Sequence, residues 1–251
     1  KYGLELVETK QINTHGSLGE WVDNIYETQQ LVVSTNTMSR ENWVKCRAFA
    51  FMISLLHFDK LLQIPFILMN VKYGIRYKEI VEAIMQTDSP TLKCATEFFQ
   101  NKARDIQSGG AEYCESKEWL GIFWPADEYF FIKLIREGML ESFYKESAEV
   151  LDHILKSRGS EGFKDVLNES IRFNQQMIKV PFVDTNIDVK LNFNIWDVYR
   201  ANLVGESIEL ENGEYNYTID RSSESWGSWD QWYREVVWYG NKKGAYLYKL
   251  T

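Results

Sequence analysis

The chain has 251 residues and a formal net charge of −8, from 36 acidic and 28 basic residues. Hydrophobic residues make up 45% and charged residues 25%, which excludes disordered, collagen-like and low-complexity classes and suits one large domain or two smaller ones. The longest basic run is the pair Lys242-Lys243, so the chain lacks the concentrated positive charge that binds nucleic acid.

The first sixty residues predict two short strands and one long helix. Polar and apolar residues alternate over residues 2–9, and residues 30–34 contain the apolar run Leu31-Val32-Val33, so each segment is predicted to form a strand. Ser39 is a suitable N-cap, and apolar residues recur over residues 43–62 on almost every side of the predicted helix. We expect this helix to be buried in the middle of the domain and to end before Pro65.

The middle of the chain predicts mainly helices. Asp88-Ser89-Pro90 is typical of a helix start in which Ser89 caps the helix and Pro90 occupies its first turn. Trp124-Pro125-Ala126-Asp127 repeats that pattern. The helical segments expected here are residues 66–73 (closed by Gly74), 77–86, 90–107 (closed by Gly109-Gly110), 126–157 (with Gly138 inside) and 162–178.

The pattern changes after Pro181. The expected elements are a strand over 187–193, a helix over 195–203, a hairpin of 207–210 and 215–219 around Asn212-Gly213, a helix over 229–238 and a strand over 245–250. We therefore predict an α+β fold that is mostly α-helical. A helical body with two N-terminal strands (residues 1–180) would carry a small mixed strand and helix portion (residues 181–251).

The sequence does not predict a membrane span, and we expect a cytoplasmic protein. Its longest uncharged apolar stretches, residues 48–58 and 61–71, are shorter than the roughly 20 residues that cross a bilayer. Because Lys1-Tyr2-Gly3 opens a stretch of alternating polarity, we also expect no secretory signal. Cys46, Cys94 and Cys114 are far apart, which disfavours a disulfide framework, a zinc site and an iron–sulfur site and favours reduced thiols.

No residue pattern for metal binding or catalysis stands out, so we predict no metal site and no catalytic residue. Glu149 and His153 are four residues apart on one predicted helix, but no second such pair exists, and a solvated face or ion pair is favoured over a metal. The chain has neither a Gly-x-Ser-x-Gly nucleophile motif nor a glycine-rich phosphate loop. Arg47 lies among apolar residues, where an ion pair is favoured over a bound anion.

The densest aromatic patch consists of Trp226, Trp229 and Trp232. Such rings could stack on a sugar, which would make the chain a carbohydrate-binding module. Because Trp229, Trp232 and Val236 fall on one side of a predicted helix, docking of that helix on the body is favoured.

Two segments carry a family resemblance. Val33-Ser-Thr-Asn-Thr-Met-Ser-Arg-Glu-Asn-Trp43, followed by Phe49-Ala-Phe-Met52, resembles the region after the catalytic barrel in cobalamin-binding radical-SAM proteins. Lys1-Tyr2-Gly3-Leu4 and Val236-Val-Trp-Tyr-Gly240 are similar to the beginning and end of that region. The resemblance implies a methyltransferase or oxidoreductase parent with a cobalamin-binding domain, a barrel, a 4Fe–4S cluster and S-adenosylmethionine. The absence of an initiator Met leads us to expect a piece of such a longer chain.

The chain lacks the family's cluster motif, Cys-x-x-x-Cys-x-x-Cys, and its Asp-x-His-x-x-Gly cobalamin motif. Without closely spaced thiolates a 4Fe–4S cluster is not held, so no cofactor is expected in this chain and no family catalytic residue maps onto it.

What the resemblance implies is a non-catalytic C-terminal accessory domain. It would contact the parent's barrel and cobalamin-binding domains and help to form or cover the substrate pocket. Arg40, Glu41, Trp43 and Arg47 are the substrate-facing candidates, because they follow a strand end and begin the central helix. The carbohydrate-binding module and a structural, homodimer-forming domain stay as alternatives.

Overall fold

The computed structural model describes residues 2–19, 26–240 and 246–251. Within them the predicted class is confirmed, because the chain is a mixed α+β protein that is mostly helical. The helices are α1 (Arg40–Ile53), α2 (Gln63–Tyr73), α3 (Tyr77–Gln86), α4 (Pro90–Gln107), α5 (Ala126–Arg136), α6 (Leu140–Ser157), α7 (Lys164–Met177), α8 (Ile195–Leu203) and α9 (Trp229–Trp232). The strands are β1 (Glu5–Lys10), β2 (Thr28–Ser34), β3 (Cys114–Ser116), β4 (Ile122–Trp124), β5 (Ile187–Phe193), β6 (Asn212–Asp220) and β7 (Lys249–Leu250).

Helix α1 begins where the sequence predicts. The Ser39 hydroxyl accepts a hydrogen bond from the backbone N–H of Asn42 at 3.2 Å. The buried residues of α1 are Val44, Ala48 and Met52, which are spaced by four. The expectation that this helix is buried in the middle of the domain was therefore wrong: one stripe faces the core, and the other sides are more open to solvent.

The predicted continuation of α1 to residue 62 was also wrong. After Ile53 the helix widens into a π-helical segment, Ser54–Phe58. Lys60 then has a φ of 63°, a left-handed conformation that no α-helix continues through. Pro65 does not end the first helix, because it lies in the first turn of α2, where a missing N–H costs nothing.

The helices between residues 63 and 203 agree closely with the sequence pattern. The bounds of α3 and α8 match the prediction, and α2 ends at Gly74, whose φ is 62°. Gly138, with a φ of 67°, separates α5 from α6 within the long helical region. Such left-handed positions suit glycine because it has no Cβ.

Helix α4 has Pro90 in its first turn as predicted, but a different residue caps it. The Ser89 side chain makes no capping hydrogen bond. Instead, the Glu146 carboxylate from α6 accepts hydrogen bonds from the backbone N–H groups of Thr91 (2.8 Å) and Leu92 (3.0 Å) and from the Thr91 hydroxyl (2.9 Å). A carboxylate at a helix N-terminus also interacts favourably with the helix dipole.

Replacing Glu146 with alanine is expected to lower the free energy of unfolding by about 1–2 kcal/mol, because α4 loses its cap and α6 loses its tie to α4. Urea denaturation at neutral pH measures the change. The matched control is Glu149→Ala, an exposed position on the same helix. A loss no larger than that of the control would show that Glu146 does not cap α4.

The described residues form three small antiparallel sheets: β1–β2, β3–β4 and the three strands β5–β6–β7 in that order. The short β3–β4 pair was not predicted. The predicted hairpin around Asn212-Gly213 was wrong, because Asn212 begins β6 and β6 pairs with β5. The Asn194 side chain explains the difference: its Nδ2 donates to the Glu209 carbonyl (2.9 Å) and its Oδ1 accepts from the Glu211 N–H (2.8 Å), which fixes residues 209–211 against α8.

Buried residues from both sides of residue 181 form one continuous hydrophobic core. The Phe173 ring on α7 lies 6.0 Å from the Trp196 ring and 6.3 Å from the Tyr217 ring, so the three-stranded sheet and α8 pack on α7. The division at residue 181 stays a prediction. Some positions used in the sequence analysis lie outside the described residues: Lys1, the Lys242-Lys243 pair and residue 245 of the predicted last strand.

Among the described residues, no single helix is long and apolar enough to cross a membrane. The segments Arg40–Phe58 and Gln63–Tyr73 meet the length and composition criteria only when taken together, and they are bent by 94°.

Candidate functional site

A cluster of titratable side chains lies where several parts of the fold meet; we call it the titratable cluster. Asp59 follows the first π-helical segment, and Asp127 and Glu128 begin α5. His15 comes from the loop after β1, and Tyr246 precedes β7. Four of the five are buried, while Asp127 keeps partial contact with solvent.

Local sequence explains why these residues meet. Both π-helical segments, Ser54–Phe58 and Tyr233–Trp238, pack against α5. Each π-helical turn inserts an extra residue relative to an α-helix, and such turns are frequent at functional sites. The first one delivers Asp59, and Pro125 starts α5 so that its two acidic residues fall in the first turn. The helix dipole favours negative charge at that end.

His15 joins the N-terminal hairpin to α5. Its Nε2 lies 2.5 Å from Oε2 of Glu128, and its backbone N–H donates to the Phe123 carbonyl at 3.0 Å. The imidazole ring meets the Trp124 ring edge-on at 5.3 Å and the Trp238 ring at 5.2 Å. The histidine is therefore held in one orientation by aromatic rings and a carboxylate.

The electrostatics of the cluster favour the uncharged forms of the Asp59 and Asp127 carboxyl groups. Burial, followed by the charges of Asp127 and Glu128, raises the pKa of Asp59 well above its usual value, and Lys60 opposes this effect. Burial, followed by the charge of Glu128, raises the pKa of Asp127 to about 7. The pKa of Tyr246 is also raised, first by burial and then by the charges of Asp59, Glu128 and Asp127. Its hydroxyl donates to the Val237 carbonyl at 3.1 Å.

Several polar atoms of the cluster lack partners. Three buried atoms have no hydrogen-bond partner among the described residues: the two carboxyl oxygens of Asp59 and Nδ1 of His15. The described residues contain no group of three or more side chains arranged to hold a metal ion. What this arrangement can do chemically is hold and exchange protons.

Of the predicted substrate-facing residues, the two arginines form ion pairs. Arg40 pairs with Glu5 on β1 and donates to the Gln107 carbonyl at 3.0 Å. Arg47 pairs with Glu112 at 2.9 Å, which is the ion pair that the sequence favoured. Both arginines therefore tie α1 to neighbouring segments and keep part of their surface exposed.

The other two candidates, Glu41 and Trp43, lie in the first turn of α1 and are open to solvent to different degrees. Glu41 is exposed and pairs with Lys45 at 2.7 Å. This contact lowers the pKa of the Glu41 carboxyl. Trp43 is partly exposed. All four candidates thus occupy the first two turns of α1, but none belongs to the titratable cluster.

The aromatic patch is largely packed into the protein. Trp226 and Trp232 are buried, and their indole N–H groups donate to Glu235 (2.9 Å) and to the Lys179 carbonyl (3.0 Å). Trp229 is partly exposed, with the guanidinium of Arg136 4.7 Å from its ring centre. These contacts are typical of a helix that docks on the body, the interpretation that the spacing favoured.

The remaining sequence candidates take up ordinary positions. Glu149 and His153 are exposed on α6, on the solvated face that their spacing favoured. The three cysteines are free thiols, as expected: Cys46 is exposed, Cys94 is partly buried and Cys114 is buried. Burial raises the pKa of Cys114 to about 12, so its thiol is protonated at neutral pH.

Sequence reasoning missed Asp59, Asp127 and Glu128 as a group. One signal was present, because Asp59 stands between the apolar run Leu55-Leu56 and Leu61-Leu62, where a lone carboxyl is unusual. The meeting of Asp59 with α5 depends on the first π-helical segment and the turn at Lys60, and neither has a sequence pattern.

Comparison with models of known protein families gives no match for this chain, and comparison with curated proteins gives none either.

Proposed function

We propose that this chain is a non-catalytic accessory domain of a cobalamin-dependent radical-SAM enzyme, which packs against the catalytic barrel and covers the substrate pocket. The observation that supports this is an exposed apolar surface at one end of the β1–β2 hairpin. We call it the hairpin's apolar end, and it consists of Tyr2, Leu4, Leu6 and Val32, with exposed fractions of 68, 55, 52 and 38%.

The hairpin has two different faces. Leu6 lies opposite Val32 across the strands, and both point outward. The neighbouring residues Thr9 and Val33 are buried, with exposed fractions of 2 and 0%, so the inner face packs on the body. Grouped apolar side chains on an outer face are a common feature of surfaces that another domain covers.

The start of α1 borders this surface. The Asn36 N–H donates to the Tyr2 carbonyl at 3.0 Å, and Arg40 pairs with Glu5. The hairpin's apolar end and the substrate-facing candidates Arg40, Glu41 and Trp43 therefore lie side by side. A domain that docks on the apolar end would bring these polar side chains to the edge of the interface, where they would reach a pocket beneath it.

The test is the double variant Leu4→Ser/Leu6→Ser in the full-length enzyme that carries this chain. Burying one leucine contributes about 1.5–3 kcal/mol, so loss of two is expected to reduce substrate turnover by roughly tenfold or more. The iron content of the barrel should not change, because this chain does not hold the cluster.

Gln30→Ser is the matched control, since Gln30 lies on the same hairpin away from its apolar end. Unchanged turnover in the double variant would contradict the proposal. Sedimentation of the chain alone tests the alternative of a homodimer-forming domain. That alternative is favoured if the wild-type chain is a dimer, the two leucine changes dissociate it, and turnover is unaffected.

A further inference from the structure

We propose that Asp59 is a buried proton-binding site: the folded chain holds a proton on this carboxyl group at neutral pH and releases it when the surrounding junction unfolds. This property is separate from domain docking. It depends on the residues of the titratable cluster and applies whether or not the chain has a partner domain.

The first argument is geometric. Asp59 has an exposed fraction of 0%, and among the described residues neither of its carboxyl oxygens has a hydrogen-bond partner. Its backbone N–H is already used, since it donates to the Ser54 carbonyl at 2.9 Å. An ionised carboxylate without partners is far costlier to bury than a neutral carboxylic acid, so the protonated form is favoured.

The second argument is the charge of the neighbours. The charged groups that act on Asp59 are Asp127 and Glu128 from α5 and Lys60 from its own segment, and Asp59 in turn acts on Tyr246 before β7. One step further away, His15 acts on Asp127 and Lys179 acts on Lys60. Glu128 shares a hydrogen bond with Nε2 of His15, and Lys179 pairs with Glu224. Lys60 is the cation that acts on Asp59, and burial lowers its own pKa. Two nearby carboxyl groups outweigh it.

The consequence is a defined linkage between folding and protons. In the unfolded chain Asp59 is exposed to water and ionises near pH 4. In the folded chain its pKa is higher, so the native state binds more protons than the unfolded state from about pH 4 upward. The stability contributed by this group is therefore fully present below about pH 4 and is lost as the pH rises toward the folded-state pKa of Asp59.

The test uses the full chain and the variant Asp59→Asn, which replaces the carboxyl group by a neutral group of the same shape. Proton release on unfolding in urea at pH 7 is measured in weakly buffered solution with a pH indicator. The variant is expected to release about one proton fewer per chain than the wild type. Asp165→Asn, an exposed position on α7, is the matched control and should leave the proton count unchanged.

A second measurement does not depend on the folding of the variant. Infrared spectroscopy of the folded wild-type chain at pH 7 should detect the C=O band of a protonated carboxylic acid at more than the roughly half equivalent that Asp127, with a pKa of about 7, supplies, and unfolding should remove it. A band no larger than the Asp127 share, or equal proton release by the wild type and Asp59→Asn, would overturn the proposal.

Discussion

Replacing Asn174 with alanine is expected to lower the free energy of unfolding by about 3–5 kcal/mol, because this fully buried side chain on α7 satisfies polar groups of other segments. Its Oδ1 accepts from the Ile64 N–H at 3.1 Å. Its Nδ2 donates to the carbonyls of Lys60 and Leu61, both at 2.9 Å, and lies 3.0 Å from the Tyr144 hydroxyl. Alanine leaves these buried groups without partners, and each such group costs about 1–3 kcal/mol.

Urea denaturation measures the loss, provided that the wild type and the variant have the same m-value. Asn168→Ala provides the control. Asn168 is exposed on the same helix, so its loss should change stability by less than about 0.5 kcal/mol. Similar losses in the two variants would mean that the segment between Asp59 and α2 does not depend on Asn174.

The elements that the sequence predicted best are those that local chemistry determines. Helix α3 has a clear apolar stripe, and α2 ends at Gly74, where the left-handed conformation suits glycine. The start of α4 was also predicted, but its cap was not, because Glu146 is 55 positions from Thr91 in the chain. A local pattern identifies a suitable N-cap residue and contains no information about a distant carboxylate that replaces it.

The same limit applies to the sheets and to the site. Asn212-Gly213 has the composition of a hairpin turn, yet β6 pairs with β5 because Asn194 holds residues 209–211 in place. Asp59 and Asp127 are brought near each other only by tertiary packing of a π-helical segment on α5. The candidates at the start of α1 were selected from a resemblance, and their role as a substrate-facing surface stays a proposal.

Replacing Trp232 with alanine is expected to destabilise the chain by about 3–5 kcal/mol, because a fully buried indole leaves a large cavity. The Trp232 ring stacks on the Phe131 ring at 5.9 Å, and its N–H donates to the Lys179 carbonyl at 3.0 Å. Both contacts join the C-terminal helix to the body. Thermal and urea denaturation measure the loss, and Trp232→Phe should retain part of the stability because most of the ring volume remains.

Trp229→Ala is the matched comparison, and it separates the two interpretations of the aromatic patch. Trp229 is partly exposed, so its removal should cost about 1 kcal/mol or less if the helix docks through Trp232. For sugar binding the order of effects is reversed. If the patch stacks on a sugar, loss of the accessible Trp229 ring should abolish binding, whereas the buried Trp232 ring should add little to it. Because Trp226 and Trp232 are buried and donate their N–H groups within the protein, any part of a saturable fluorescence change with polysaccharide fragments that arises in the aromatic patch would come from Trp229. Such a change, abolished by Trp229→Ala while stability is kept, would contradict docking as the sole role of this helix.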